Sequence, residues 1–409
     1  MFGDDAMKPT SGSITAPKGY AAAGVACGLK KDNRLDLALI VSEVPATAVG
    51  VFTRNVVKGH SLQRTMEAIR IGLASAVVIN SGNANACVGE AGYKDAETMA
   101  ALTAAELGCP VEQVLTGSTG VIGKRLDLKA VERGIKAASA ALASSQEAGH
   151  QAEQAIMTTD LIPKECVVTF ELDGQLVTVA GMAKGSGMIH PNMATMIGII
   201  TTDCAVEHDV LAAMLRQTTD QTFNRVSVDG DTSVCDMVIA MANGRSGAKK
   251  ITSATSAAGQ QLQHALTIVS TQLARLIAQD GEGATKLVEI QCQGAKTAED
   301  AYKIVLAVGK SPLVKTAIFG EDANWGRILT AAGYSGADFD PNKCDIYLGD
   351  LKVCEDGTAL LFDEVIAKQI LQQKEVLIRI LLREGQAFDR LWTCDFSYDY
   401  VRINGSYRT

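Results

Sequence analysis

Short apolar β-type runs alternate with alanine-rich helical stretches from one end of this chain to the other, and no Pro-rich linker, repeat or low-complexity tract interrupts them. That alternation demands sheets covered by helices. Strands are predicted at residues 35–41, 76–79, 167–170, 177–180, 196–202, 238–241 and 287–292, and helices at 94–107, 128–143, 209–215, 256–278 and 298–307. Beyond residue 338 the pattern changes to strands at 346–348, 351–353, 376–382 and 400–403 around one helix at 363–372. The expected fold is α/β in the broad sense, an α+β arrangement of layered sheets flanked by helices, with intimately joined lobes. Aromatics make up only 5% of the 409 residues while glycine occurs 38 times, so the core must be aliphatic and crossed by close backbone approaches.

A net charge of −8, with no basic run interleaved with aromatics, argues against nucleic acid or an anionic membrane as partner. The ten cysteines show no C-x-x-C spacing and no zinc-type pairing with histidine, and they read as small buried hydrophobes of a reducing compartment. The first twenty residues are polar and the longest apolar runs are too short for a bilayer, so a cytoplasmic location is expected.

The most unusual stretch is KGSGMIHPNMATMIGIITTD, residues 184–203. Thr195 stands where an irregular glycine- and proline-containing loop becomes an apolar strand. An ordinary strand-starting threonine is the common case; here Lys184 is near in sequence and the preceding residue is the small Ala194. Attack of the Thr195 hydroxyl on the Ala194 carbonyl would split the chain and leave an α-amine beside the hydroxyl. With an ordinary pKa near 8 that amine can act as the base that activates the threonine. Such a nucleophile needs donors for an oxyanion, and GSTGVIG at 117–123 is the best candidate. It is not a phosphate loop: Ser118 and Arg125 break the required pattern. DGEGATK at 280–286 places Glu282 between glycines, where a carboxylate is either a solvated turn residue or a receptor for a substrate ammonium. DGDTSVCD at 229–236 lacks the ligand spacing of a calcium loop and reads as a turn, with no metal expected. NSGNANA at 80–86 reads as a shaped turn, and His190 as a structural hydrogen-bonding residue.

These segments resemble those of the ornithine acetyltransferase, or glutamate N-acetyltransferase, family of arginine biosynthesis. The resemblance runs from residue 19 to 409 and rests on GYAAAGVACGLK at 19, NSGNANAC at 80, STGVIG at 118, IMTTD at 156, KGSGMIHPNMATM at 184, DGEGATK at 280, SPLVKTAIFGEDANWGRI at 311 and INGSYRT at 403. It implies a fold of the N-terminal-nucleophile, ornithine acetyltransferase/aminopeptidase type. It also implies a precursor that cleaves itself between Ala194 and Thr195 into chains 1–194 and 195–409, the second carrying a smaller lobe from about 338 to 409. The two chains would stay together as an α2β2 heterotetramer. Thr195 would take acetyl from N-acetylornithine and pass it to glutamate in a ping-pong reaction. Thr119 and Gly120 match the family's oxyanion hole, and Thr158, Lys184, Thr195, Glu282, Asn404 and Thr409 its substrate-binding positions, with Thr159 adjacent to the first. Because Thr409 is the last residue, its terminal carboxylate would lie near the site. No cofactor is implied, although acetyl-CoA is a conceivable second acetyl donor. Two stretches depart from the family pattern: Val234-Cys235 after Ser233, where Thr-Asn is usual, and residues 52–62. Neither is expected to touch the nucleophile or its supports, and the second bears on the entrance to the site. The competing readings are a related amidohydrolase or aminopeptidase, with water as acceptor, and an amino-acid-binding protein that kept the fold without cleavage.

Overall fold

The computed structural model describes residues 7–190 and 196–406. The first sheet is built from β1 (Tyr20–Val25), β2 (Leu37–Phe52), β3 (Leu73–Asn83), β4 (Val114–Val121), β5 (Glu165–Leu172), β6 (Gln175–Lys184), β7 (Ile197–Thr202) and β8 (Met237–Ala242). Its order is β4-β3-β2-β8-β7-β6-β5, with β1 pairing to the first part of β2. The β3–β4 and β7–β8 pairs are parallel and the other neighbours antiparallel. The second sheet joins β9 (Leu287–Ala295), β10 (Cys344–Leu348), β11 (Leu351–Glu355), β12 (Thr358–Ala359), β13 (Glu375–Leu382) and β14 (Ala387–Cys394) in the order β12-β11-β10-β13-β9-β14. The stretch after residue 338 therefore shares its sheet with β9, some fifty residues earlier in the chain.

Alternation along the strands divides the first core. Ala38, Ile40, Val77, Ile79, Ile199 and Ile239 face helices α1 (His60–Ala68) and α4 (Gln146–Ile156), which contribute Leu62, Ala152 and Ile156. On the other face, Leu37, Leu39, Ala76 and Val78 meet α2 (Glu90–Leu107) and α3 (Leu128–Ala140). Farther along that face, Val168, Val179, Ile200 and Ala240 meet α5 (His208–Gln221) and α6 (Ala257–Gln279). Such period-two sorting is what an amphipathic or doubly covered strand enforces. The second sheet packs on α7 (Ala298–Gly309), α8 (Pro312–Phe319), α9 (Trp325–Gly333) and α10 (Glu364–Leu371). The expected α+β class of layered sheets and helices is the observed one.

One local expectation fails. Residues 400–403 are not a strand but part of α11 (Tyr398–Ser406). The aromatic and β-branched run suggested extension, but helical spacing stacks the Tyr400 ring on Phe396 at 4.7 Å and turns Asn404 toward Glu282. Residues 117–121 continue β4 along β3 through Thr119 and Gly120.

Candidate active site

One cleft collects residues from distant parts of the chain: Thr119 and Gly120 at the end of β4, Thr158 after α4, Lys184 at the end of β6, Glu282 after α6 and Asn404 in α11. About 650 Å³ of space, the solvent-facing mouth included, suits a small molecule rather than a polymer. Thr195, Ala194 and Thr409 lie outside the described residues, so only their neighbours can be placed.

The charged wall is built around Lys184, which is 2% exposed. Its Nζ donates to Thr158 Oγ1 at 2.7 Å and stands 3.7 Å from Asp160. Asp160 accepts from Lys164 Nζ at 2.8 Å, from the Gly185 N–H at 2.6 Å and from the Thr158 N–H at 2.9 Å. Burial alone would raise the Asp160 pKa, but Lys184, Lys164 and these donors outweigh it and hold the carboxyl well below the usual range. Lys164 also donates to Asp280 at 2.6 Å and is held above its ordinary pKa: burial opposes this, and the two aspartates overcome it. A buried cluster of this kind fixes the 158–164 loop against α6 and so sets where Thr158 and Lys184 stand.

Glu282 is mostly buried and accepts from Asn404 Nδ2 at 2.9 Å, while its own N–H donates to the Ser186 carbonyl at 3.0 Å. Gly187 makes room for it: a Cβ there would sit 2.3 Å from the Glu282 carboxyl carbon. Only glycine permits that approach. At the other wall, Gly120 has φ +124°, and a Cβ would lie 2.5 Å from the Gly82 carbonyl carbon. The β3–β4 register breaks between Gly82 and Asn83, so the ladder becomes irregular just where Thr119 and Gly120 face the cleft. Behind them a buried polar chain runs from Asn80 to Ser118 at 2.5 Å, from Ser118 to Ser61 at 2.7 Å and from Ser61 to Asn85 at 3.2 Å. The 80–86 segment is indeed shaped, with Asn85 in the left-handed region at φ 46°.

The sequence departures prove to be part of the cleft. Ser233, Val234 and Cys235 line it. Val234 and Cys235 pack with Ala84 and Ala86, and Ile122 leans on them. The 52–62 stretch buttresses the same wall: Thr53 Oγ1 and Asn55 Nδ2 both donate to the Ser233 carbonyl at 3.3 Å. His190 Nδ1 lies 3.1 Å from Ser227 Oγ, outside the group of cleft residues. Asp229 accepts from the Met188 and Ile189 N–H groups at 2.7 and 3.1 Å, so the 229–236 turn braces the loop after β6. Sequence reasoning missed Lys164; a lysine four residues after the aspartate of IMTTD was the available signal. Among the described residues no cluster of His, Cys, Asp or Glu could hold a metal, and no helix is long and apolar enough to cross a membrane.

The layered α+β fold holds a cleft, polar on one wall and apolar on another, of the kind in which enzymes take small-molecule substrates. Residues 21–409 match the model of the ArgJ family. The arginine biosynthesis bifunctional protein ArgJ of Symbiobacterium thermophilum is 50% identical over 98% of this chain and its own full length. Its Bacillus cereus counterpart is 47% identical over 98% of both chains. A solved chain of the Bacillus halodurans protein of the same name, 40% identical, aligns with a TM-score of 0.50, covering 51% of this chain and 98% of that one. The chain belongs to the ArgJ family.

Proposed function

We propose that the protein is a glutamate N-acetyltransferase of arginine biosynthesis that carries acetyl from N-acetylornithine to glutamate on Thr195. The observation that carries this reading is the convergence of Thr119, Gly120, Thr158, Lys184, Glu282 and Asn404, from five separate segments, on one cleft. In it, Glu282 and Asn404 receive the side-chain ammonium of ornithine, and Lys184 with Thr158 receives the α-carboxylate that ornithine and glutamate share. The acetyl methyl rests against Ala84, Ile122, Val234 and Cys235, and Thr119 and Gly120 supply the donors for the oxyanion. Donor and acceptor then occupy one pocket in turn, which is the economy of a ping-pong cycle.

The nucleophile becomes competent when the chain splits between Ala194 and Thr195. In support, a solved relative's chain is almost wholly accounted for by half of this one. The products, chains 1–194 and 195–409, remain joined through β7, which pairs along its length with residues 179–184 of β6, and assemble as α2β2 in the cytoplasm. Acetyl-CoA is a second donor in this reading, since the same acetyl-threonine would form from it; the relatives' description as bifunctional favours this. Incubation with N-acetylornithine and glutamate is expected to yield ornithine and N-acetylglutamate in equal amounts. Release of free acetate without N-acetylglutamate would overturn the reading in favour of an amidohydrolase.

A further inference from the structure

Beside the loop that carries Thr158 lies a second cavity, about 750 Å³ with its open mouth included, that the transfer chemistry leaves unused. Its cationic lining is Lys30 and Arg34, and its apolar lining Leu35, Met157, Leu161 and Pro163. The turn between the two cations is tight. Asp32 and Asn33 both lie in the left-handed region, at φ 63° and 53°, and bring Arg34 back beside Lys30.

These cations are short of counter-charge. Lys30 Nζ donates to the Leu35 carbonyl at 2.9 Å and to the Met157 carbonyl at 2.6 Å, which leaves one of its three N–H groups. Burial and the charges of Arg34 and Lys184 lower its pKa to about 8 against the opposing pull of Asp36 and Asp160. Both carboxylates are already engaged. Asp36 accepts from the N–H groups of Cys27, Gly28, Leu29 and Lys30, and Asp160 from Lys164, Gly185 and Thr158. Arg34 is exposed and, among the described residues, makes no hydrogen bond or ion pair. Leu161 is 82% exposed, although Asp280 fixes its N–H at 2.9 Å. A pair of cations without a free carboxylate and an apolar side chain held in the open are two separate signs of a ligand.

We propose that this pocket binds the phosphate groups of a ligand whose apolar arm lies along Met157 and Leu161 toward Thr158. A guanidinium offers a planar fork and an ammonium a point charge, a combination suited to phosphate oxygens. Thr158 lines both this pocket and the active-site cleft, so an arm that runs past it points from one toward the other. Acetyl-CoA, the second acetyl donor of the reading above, has both the phosphates and the arm, and its choice as occupant rests on that reading. An inorganic polyphosphate has the charged head alone.

Calorimetric titration of the purified protein with coenzyme A, and separately with inorganic pyrophosphate, tests the site. Coenzyme A should bind the wild type. Arg34→Glu should weaken that binding at least about tenfold, the loss expected when a charge-assisted hydrogen bond is replaced by repulsion. Leu161→Ser should weaken coenzyme A and leave pyrophosphate unchanged. In both variants KM for acetyl-CoA should rise while KM for N-acetylornithine stays as it is. Coenzyme A affinity that survives both substitutions would overturn this inference alone, as would a wild type that transfers acetyl from N-acetylornithine yet binds no coenzyme A. Equal affinity for pyrophosphate and coenzyme A would overturn the apolar arm and leave a site for a free anion. A wild type without any acetyl transfer would instead overturn the reading on which the choice of acetyl-CoA rests.

Discussion

On one wall of the cleft Lys184 and Glu282, with Asp160, Lys164 and Asp280 behind them, are held by directional bonds between 2.6 and 2.9 Å, most of them buried. On the other, Ala84, Ile122, Val234 and Cys235 meet by apolar packing, with one weak bond from Cys235 Sγ to the Ala84 carbonyl at 3.5 Å. The first wall is costly to disturb because a buried charge without its partner cannot regain water. The second can be reshaped at modest cost, so it is where selectivity between similar acyl groups would be set. Stability and specificity are thereby assigned to different sides of one cavity.

Lys164→Met is the largest expected break in that comparison. It leaves Asp280 without its cationic partner and Asp160 with only Lys184, and should lower stability by about 3–5 kcal/mol, measured by urea denaturation. A loss of less than about 1 kcal/mol would mean that the charged wall is no more rigid than the apolar one.

Gly187→Ala should act on binding rather than on stability. The added methyl must push the Glu282 carboxylate away from its place beside Asn404. The displaced carboxylate loses its charged hydrogen bond to the ornithine ammonium, worth about 1.5–3 kcal/mol, so KM for N-acetylornithine should rise roughly 10- to 100-fold. Glutamate, which brings no side-chain ammonium, should be affected less. Equal effects on both substrates would disconnect Glu282 from the ammonium.

The two buried aspartates near Lys184 give the comparison a pH axis. The folded pKa of Asp160 is depressed, so its contribution to stability is present above its ordinary value near 4 and is lost as pH falls through the lower folded value. Burial raises Asp236, so its effect has the opposite sign: stability is fullest below the ordinary value and declines as pH rises toward the folded one. Urea midpoints followed from pH 6 to pH 2 should fall less steeply in Asp160→Asn than in wild type. Asp236→Asn should instead remove part of the decline above pH 4.

Much of this division was legible in the sequence, and the gaps have physical causes. The apolar runs marked most strands of the first sheet because their faces are buried on both sides. The second half of β2 escaped notice because Glu43 and Pro45 interrupt it; they occupy the register shift between Val41 and Ala46, where a ladder tolerates both. The residues of the cleft were recognisable one by one from motifs, whereas the charged network was not. Asp160 and Asp280 belong to different motifs, and nothing local says that Lys164 bridges them across more than a hundred residues. Val234 and Cys235 were visible as a departure, yet their place opposite Ala84 depends on the pairing of β8 with β2 and β7.

The smallest expected effect tests the apolar wall itself. Val234 is 8% exposed and packs in a cluster of only a few side chains, so Val234→Ala removes two methyl groups from a place open to the cleft. Part of the space left is filled by solvent or ligand rather than remaining a sealed void, which keeps the stability cost near 1 kcal/mol instead of the larger penalty of a closed core. One methylene in an apolar pocket is worth about 1–3 kcal/mol of discrimination. If this wall holds the acyl methyl, the ratio of kcat/KM for N-propionylornithine over N-acetylornithine should rise by about tenfold, with the charged wall and the KM for glutamate unaltered. An unchanged ratio together with the same small loss of stability would show that the acyl group lies elsewhere, and that Val234 and Cys235 serve only to close the turn against Ala84.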